Sequence, residues 1–300
     1  MNSIDAFEED IKLQTNFLKS FKKQKTISLK KQKNVLFTGS GDSLVSSLLA
    51  ESFSGGLVKA MDPLDLYQNK EIAKSKHVYF VSISGNTITN IKVAKIAKKS
   101  TAITSQSQSR LAKASDCLIL LDSPNSGIFT AGSISFLESA LTCISLVKNI
   151  KIPDTSLFRT AQRSAQKVKV SNRIFVLGNL YTFPVAMYCA AKFYEILGYD
   201  VHYSRTEQFS HMELFSIKKG DTVIIFEEKN PYTKQLGQNL KKIGINVIHP
   251  IMPSEILSQV VFCIFFSQTV ALFEARKRRK KECHFVTAKK IRDVSNQMIY

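Results

Sequence analysis

A cluster of hydroxyl side chains stands between a short apolar run and an amphipathic segment. The run at 77–81 predicts a buried strand, and the apolar spacing after residue 87 predicts a helix. The loop between them contains Ser82, Ser84, Gly85, Asn86 and Thr87. The first N–H groups of a helix lack partners and its dipole favours negative charge, so this loop is suited to an anion. The loop is therefore predicted to hold a phosphate.

A second turn follows another predicted strand, at 34–38. Its spacing, Gly39-x-Gly41, is typical of a dinucleotide-binding turn, and Asp62 follows about twenty residues later. However, Leu44 stands where that motif needs a small residue. The turn alone is therefore explained equally well by a tight bend that requires glycine.

The two loops together favour a phosphomonoester. The carboxyl ends of neighbouring parallel strands face one crevice. The side chains expected to converge there are those of Ser43, Ser82, Ser84 and Thr87, beside Gly41 in the turn. A dinucleotide would not need the second hydroxyl cluster, whereas a small phosphate ester would use it.

Strand and helix patterns alternate along the whole chain, and the strands are continuous apolar runs. Both features indicate parallel sheets that are covered on two faces. The pattern restarts near residue 150, so we expect two copies of one α/β unit. The predicted domains are 1–150, with an N-terminal helix, and 151–300, with a C-terminal tail. Each is expected to hold a mostly parallel sheet between helices, as a three-layer αβα structure.

Composition restricts the class of protein. The chain has 300 residues, a net charge of +18 and five cysteines that form no C-x-x-C pair. Scattered cysteines of this kind indicate reduced thiols in a cytoplasmic protein, and no spacing typical of a metal site is present. The positive charge suits an anionic small substrate, nucleic acid or a generally basic surface.

Two segments could suggest other partners. The basic block at 276–281 is interpreted as a solvated helix end rather than a nucleic-acid site, because no aromatic residues are interleaved with it. The apolar run at 256–273 includes serine, threonine and glutamine, which would be costly in lipid. We therefore expect a buried or interface helix there, and neither a membrane nor a nucleic acid as a partner.

The phosphate loops resemble those of the sugar isomerase (SIS) domain family in its tandem form. Residues 39–43 resemble the first phosphate turn of the family, and residues 82–87 resemble its Ser-x-Ser-Gly-x-Thr loop. Residues 104–116 resemble the strand and helix that follow. The resemblance covers most of the chain and implies two SIS-type subdomains that bind a phosphorylated sugar without a cofactor.

In the second half the resemblance implies catalytic roles. Residues 190–195 resemble the helix that carries a lysine and, three residues later, a catalytic glutamate in the isomerase domain of glucosamine-6-phosphate synthase. The same pair of glutamate and later histidine recurs in phosphoglucose/phosphomannose isomerases. The implied roles are proton transfer between C1 and C2 for Glu195, ring opening for His211 and stabilisation of the enediolate for Lys192.

The sequence also departs from the family pattern. Met212 and Glu213 replace the usual Gly-Pro after the histidine, Gln208 stands where an acidic residue is usual, and 122–127 is not rich in acids. Three functions therefore stay open: an aldose–ketose isomerase, an amino-sugar-phosphate deaminase or deglycase, and a non-catalytic phosphosugar sensor. We expect a homodimer, with the aromatic residues of the helix predicted at 254–275 as its interface.

Overall fold

The computed structural model describes residues 1–171 and 173–300. In this part of the chain the helices are α1 (Ser3–Ser20), α2 (Leu29–Gln32), α3 (Asp42–Phe53), α4 (Pro63–Gln68), α5 (Lys70–Ser75), α6 (Ile88–Ala94), α7 (Arg110–Ala114), α8 (Ile134–Val147), α9 (Ser156–Gln166), α10 (Phe183–Leu197), α11 (Thr206–His211), α12 (Pro231–Lys242), α13 (Ile256–Lys277), α14 (His284–Thr287) and α15 (Lys289–Ile299). A short 3-10 helix covers Glu213–Ser216.

The strands alternate with these helices. They are β1 (Val35–Thr38), β2 (Lys59–Met61), β3 (His77–Val81), β4 (Lys99–Thr104), β5 (Cys117–Leu120), β6 (Arg173–Gly178), β7 (Asp200–Ser204), β8 (Thr222–Phe226) and β9 (Asn246–Ile248). Because each strand is joined to a parallel neighbour through a helix, the alternation seen in the sequence becomes a set of crossover connections.

The first five strands form one parallel sheet, sheet A, in the order β2-β1-β3-β4-β5. Alternate side chains of its central strands, such as Leu36, Val78 and Ala102, enter a core with apolar residues of α4 to α7. On the other face α3 packs against β1 and β3, and α8 packs against α3. Helices thus cover both faces.

The remaining strands form a second parallel sheet, sheet B, in the order β7-β6-β8-β9. Phe175 and Val223 enter a core with residues of α11 and α12. On the opposite face α10 packs against β6 and β7, and Phe226 contacts Phe266 of α13. The predicted α/β class, with parallel sheets flanked by helices, is confirmed.

The chain forms two compact units, one around each sheet. The sheet-A unit comprises Ser20–Asn125, Gly132–Lys151 and Lys289–Tyr300, and the sheet-B unit comprises Met1–Lys19, Ser126–Ala131 and Ile152–Ala288. Most of α1 belongs to the sheet-B unit, where Gln14 Nε2 donates a hydrogen bond of 2.7 Å to Gln268 Oε1. The assignment of 1–150 and 151–300 as two domains stays a prediction.

Helix α13 is the core helix of the sheet-B unit. It is the one described helix that is long and apolar enough to cross a membrane, and most of its apolar window is buried inside the protein. Its Phe265 ring packs edge-on against Phe158 of α9, with 5.3 Å between the ring centroids. Phe262, Ile264, Phe265 and Phe266 are all at most 1% exposed.

The expected dimer interface on this helix is therefore wrong. The aromatic side chains are covered within the chain, because α13 packs against both α9 and α10. A sequence pattern shows that such side chains must be buried, but it does not say which element covers them.

The basic block at the end of α13 is partly neutralised within the sheet-B unit. The Arg276 guanidinium lies 2.5 Å from a Glu8 carboxyl oxygen and 2.8 Å from one of Asp5. Arg278 Nε lies 2.9 Å from Glu274, and its guanidinium stacks over the Tyr199 ring. These arginines therefore stabilise the end of α13 through ion pairs with α1 and with α13 itself.

Candidate functional site

The first glycine turn is fixed by close backbone contacts. A Cβ atom on Gly39 would lie 2.7 Å from Ser43 Cβ and 2.8 Å from the Val81 carbonyl oxygen, so no other residue fits there. Gly41, the N-cap residue of α3, has φ of +60°, which favours glycine. The turn therefore brings Ser43 close to the end of β1 and lies directly beside the end of β3.

The second loop is folded around Gly85. Ser82 is almost fully buried, and its Oγ accepts a hydrogen bond of 3.2 Å from the Gly85 N–H. The Gly85 carbonyl in turn accepts from the N–H of Leu111 in α7 at 2.9 Å. Gly85 has φ of +62°, and a Cβ there would lie 3.0 Å from Thr104 Oγ1. These contacts hold the loop in one conformation.

The last residue of β4 and the residues after it support the loop, a role that the sequence did not indicate. The Ile83 carbonyl oxygen accepts hydrogen bonds from Thr104 Oγ1 at 3.0 Å and from Ser105 Oγ at 2.9 Å. Ser109, the N-cap residue of α7, packs where a Gly85 side chain would have to go. The sequence did indicate that the ends of parallel strands lie together. Which strand end lies next to the loop after β3, however, depends on the strand order, which the sequence does not specify.

The remaining loop residues are partly accessible. The Asn86 N–H donates to Ser84 Oγ at 3.4 Å, and both side chains are half-buried. Thr87 is the N-cap residue of α6, but its hydroxyl does not cap the helix. The hydroxyl groups of Ser84 and Thr87 thus lie on a loop whose backbone is held by hydrogen bonds within the loop and from the end of β4.

Asp62 has a structural role. It is the N-cap residue of α4, and its Oδ1 accepts a hydrogen bond of 2.8 Å from the Leu64 N–H. The acidic residue that could have supported a dinucleotide-binding interpretation is therefore used to begin a helix.

A buried carboxyl group anchors the loop after β5. Glu138 of α8 is 4% exposed and accepts the backbone N–H groups of Asp122 and Ser123 at 2.9 and 3.0 Å. Burial raises the pKa of the Glu138 carboxyl, and these hydrogen bonds oppose that effect. The role of this residue could not be predicted from the sequence, because a single glutamate in an apolar helix gives no local signal of its partner.

In the sheet-B unit the structure pairs two of the three candidate catalytic residues. Lys192 is fully buried, and its Nζ lies 2.6 Å from Glu195 Oε2 on the same helix, α10. The ammonium also lies 4.8 Å from the centroid of the Tyr188 ring. The Tyr188 hydroxyl accepts from Gln268 Nε2 at 2.9 Å. The Glu195 side chain remains 36% exposed, so this end of the pair is open to a ligand.

His211 is placed differently. It is the last residue of α11 and is exposed, next to Met212, which is 58% exposed. It is not part of the ion pair between Lys192 and Glu195. The candidate phosphate residues lie in the sheet-A unit, whereas Lys192, Glu195 and His211 lie in the sheet-B unit. Among the described residues, no group of three or more His, Cys, Asp and Glu could hold a metal ion.

Residues 167–252 match the family model of the SIS domain. This segment begins directly after α9, ends after β9 and includes Lys192, Glu195 and His211. The match to this family is therefore confined to a segment in the second half of the chain, and a tandem arrangement stays a prediction. No curated protein sequence matches the chain.

Several solved structures share the fold. Glucosamine-6-phosphate deaminase from Thermotoga maritima is similar with a TM-score of 0.79 and 20% identity, over 92% of this chain and 96% of that one. Tagatose-6-phosphate ketose/aldose isomerase from Escherichia coli gives 0.65 and 19%, over 93% and 91%. The C-terminal domain of glucosamine-fructose-6-phosphate aminotransferase from Francisella tularensis gives 0.67 and 15%, over 91% and 96%. At these identities the similarity establishes the fold alone.

Proposed function

We propose that the chain binds a phosphorylated sugar and interconverts its aldose and ketose forms through an enediol. The residues proposed to bind the phosphate are Gly41, Ser43, Ser82, Ser84, Gly85, Asn86 and Thr87. The residues proposed to act on the sugar carbons are Lys192, Glu195 and His211. The observation that carries the proposal is the ion pair of a buried lysine with a partly exposed glutamate inside the segment that matches the SIS domain.

The chemistry requires one proton to move between C1 and C2 of the sugar. A carboxylate can remove this proton and return it to the neighbouring carbon, and the exposed side of Glu195 makes it accessible for that step. Lys192 supplies a fixed positive charge beside it, which suits the negative charge that develops on the enediolate. His211, at the exposed end of α11, is proposed to protonate the ring oxygen during opening.

Deamination of an amino-sugar phosphate is the second candidate. The similarity to the Thermotoga maritima deaminase favours it. The same proton transfer converts a 2-amino sugar into a C2 imine, and hydrolysis of that imine by water releases ammonia. A deglycase would use the same phosphate loop and glutamate, whereas a non-catalytic sensor would keep the phosphate loop without using Glu195 or His211.

Deuterium exchange separates these functions. The protein is incubated with fructose 6-phosphate in deuterated water, and C2 of any aldose product is examined. We expect deuterium at C2 and its loss in Glu195→Gln, with Glu207→Gln on α11 as a control that retains exchange. Tight binding without exchange would overturn the isomerase and favour the sensor. Ammonia release from glucosamine 6-phosphate would favour the deaminase.

Phosphate binding is tested separately. A hydrogen bond to a charged group contributes about 1.5–3 kcal/mol, so Ser84→Ala is expected to weaken hexose 6-phosphate binding about tenfold or more. Ser107→Ala is the control, because Ser107 is an exposed loop serine of the same unit. Calorimetric titration gives both affinities. Equal affinities for the two variants and the unmodified protein would remove Ser84 from the phosphate site.

We further propose that the protein is a cytoplasmic homodimer. The cysteines Cys117, Cys143, Cys189, Cys263 and Cys283 are free thiols. Free thiols suit a reducing compartment. The resemblance to the SIS family implies that His211 reaches the site of the neighbouring subunit, so dimerisation would contribute to activity.

A further inference from the structure

Sheet B repeats the geometry that sheet A uses for its two loops. In sheet A, Thr38 pairs with Phe80, so Gly39 lies opposite Val81. In sheet B, Gly178 pairs with Phe226. A Cβ on Gly178 would lie 2.7 Å from the carbonyl carbon of Thr182, and a Cβ on Gly39 would lie 2.9 Å from that of Ser43, in each case four residues later. The turns after β1 and β6 are therefore equivalent.

This equivalence identifies the counterpart of the buried loop serine. Val81 and Phe226 occupy matching positions at the ends of β3 and β8, so the residues that follow them, Ser82 and Glu227, also correspond. Sheet B thus has a carboxyl side chain where sheet A has the hydroxyl of the proposed phosphate loop. A second phosphate would be repelled at this position.

Glu227 is instead held by the protein itself. Its Oε1 accepts a hydrogen bond of 3.0 Å from Asn179 Nδ2, in the turn after β6, and another from Thr206 Oγ1, after β7. Its backbone carbonyl accepts from His249 Nε2, after β9, at 2.9 Å. One residue therefore connects the loops at the carboxyl ends of all four strands of sheet B.

Thr206 is the first residue of α11, and His211 is the last. A helix of six residues is marginal in isolation, so tertiary contacts must fix its orientation. Two buried residues do so, since Phe209 packs against Phe175 at 5.7 Å between ring centroids and the fully buried Thr206 donates to Glu227. The N-cap residue Arg205 makes no side-chain capping bond that could replace this tether.

We infer that Glu227 is a positioning residue: it occupies the position that corresponds to the phosphate-loop serine of the other sheet and orients α11, and thereby His211, for opening the sugar ring. The inference rests on the proposed function. Sheet A is then the phosphate-binding sheet, and the equivalent position of sheet B holds a half-buried carboxyl group that bonds to residues of the protein itself.

The test compares a cyclic with an acyclic substrate. Fructose 6-phosphate must open its ring, whereas 5-deoxyfructose 6-phosphate lacks the hydroxyl that closes it. A misplacement of a reacting group by about 1 Å can cost about a hundredfold in rate. Glu227→Ala is therefore expected to lower kcat about tenfold or more for the cyclic substrate, with KM unchanged, and to leave the acyclic substrate unaffected. Glu227→Gln, which keeps the acceptor oxygen, is expected to recover most of the rate.

Two comparisons make the result decisive. Glu228→Ala removes the neighbouring carboxyl group, which bonds to Gln259, and is expected to leave both substrates unaffected. The double variant Glu227→Ala/His211→Ala is expected to be no slower than His211→Ala, because both changes remove the same step. Equal losses of Glu227→Ala on both substrates would overturn the inference while leaving the isomerase function standing.

A second measurement does not depend on activity. Amide hydrogen exchange of residues 206–211 is expected to rise in Glu227→Ala and to stay low in Glu228→Ala, at equal thermal midpoints. Unchanged exchange in that helix would overturn the positioning role. If exchange rises in Glu227→Ala but the wild-type protein converts no sugar phosphate, the proposed function would be overturned instead.

Discussion

At the scale of single residues, the candidate phosphate loop depends on a position that has no side chain. Gly85 has φ of +62° and its Cα faces Ser109 and Thr104. Its N–H and carbonyl bond to Ser82 and to Leu111 respectively. Backbone conformation and packing therefore require glycine for two separate reasons, and the backbone hydrogen bonds keep the serine hydroxyls around it in position.

Gly85→Ala is expected to disturb this loop in particular. A residue in the left-handed region costs about 1 kcal/mol, and the contacts with Ser109 and Thr104 add about 1–3 kcal/mol. Urea unfolding and titration with hexose 6-phosphate measure the loss of stability and of binding. Gly55→Ala is the matched control, because Gly55 has φ of +65° with no atom within 4 Å of a Cβ. If both variants behave alike, the packing around Gly85 is unimportant.

At the scale of elements, the burial of α13 within the chain shows that it is a core helix. The helix is apolar on all sides, and its aromatic residues contact α9 and the end of β8. A helix that is hydrophobic all round is buried in a core or in a membrane. Here the neighbouring helices of the sheet-B unit cover it, so the helix stabilises the fold that carries Lys192 and Glu195.

Phe265→Ala is expected to lower the free energy of unfolding by about 3–5 kcal/mol, because it leaves a cavity beside Phe158. Phe273→Ala, at the partly exposed end of the same helix, is expected to cost much less. Urea unfolding of both variants measures the difference. Equal small effects would mean that this face of α13 is not packed as described.

The first residue of β3 gives sheet A a dependence on pH. Burial, with a smaller effect of Lys99, lowers the pKa of His77 from the ordinary value of 6.5 to about 4, while Asp116 acts in the opposite direction. His77 Nε2 lies 2.8 Å from Thr101 Oγ1, and the ring stacks on Tyr79. The folded chain therefore favours the neutral imidazole.

The contribution of neutral His77 to the free energy of unfolding is complete above pH 6.5. It is lost as the pH falls from 6.5 to about 4, because His77 of the unfolded chain takes up a proton at a higher pH than His77 of the folded chain. The half-buried position reduces the full linkage value, and about 1–2 kcal/mol is expected. Urea unfolding at about pH 7 and about pH 4.5 compares wild type with His77→Phe, which keeps the ring. The variant is expected to lose less stability, and equal losses would contradict the assignment to His77.

At the scale of the whole molecule, exposed apolar groups gather beside His211. Phe215 is 85% exposed and Met212 is 58% exposed, directly after α11. Large apolar side chains grouped on a surface often mark an interface. With α13 buried, this short surface is the better candidate for contact between two copies of the chain.

Phe215→Asp is therefore expected to shift the protein from a dimer to a monomer, because a carboxylate would be buried against apolar groups in the interface. Light scattering coupled to size exclusion gives the mass. Tyr232→Asp, which changes an aromatic residue that is 52% exposed on α12, is the control. A wild-type protein with the mass of one chain would contradict the proposed dimer.

The sequence by itself determined the α/β class, the parallel sheets and the loops at the ends of β1 and β3, because apolar periodicity and glycine positions are local signals. It also placed Lys192 and Glu195 three residues apart on one predicted helix, where the structure shows them as an ion pair. It missed the short helices α4, α5 and α11, whose few residues give little periodicity.

Only the tertiary structure decided that Thr104 supports Ile83, that Glu227 binds Thr206 and that α1 packs in the sheet-B unit. Each of these contacts joins residues that are far apart in the chain or on different strands. They depend on strand order and register, which local periodicity does not specify, and so they follow from the way the whole chain buries its apolar surface.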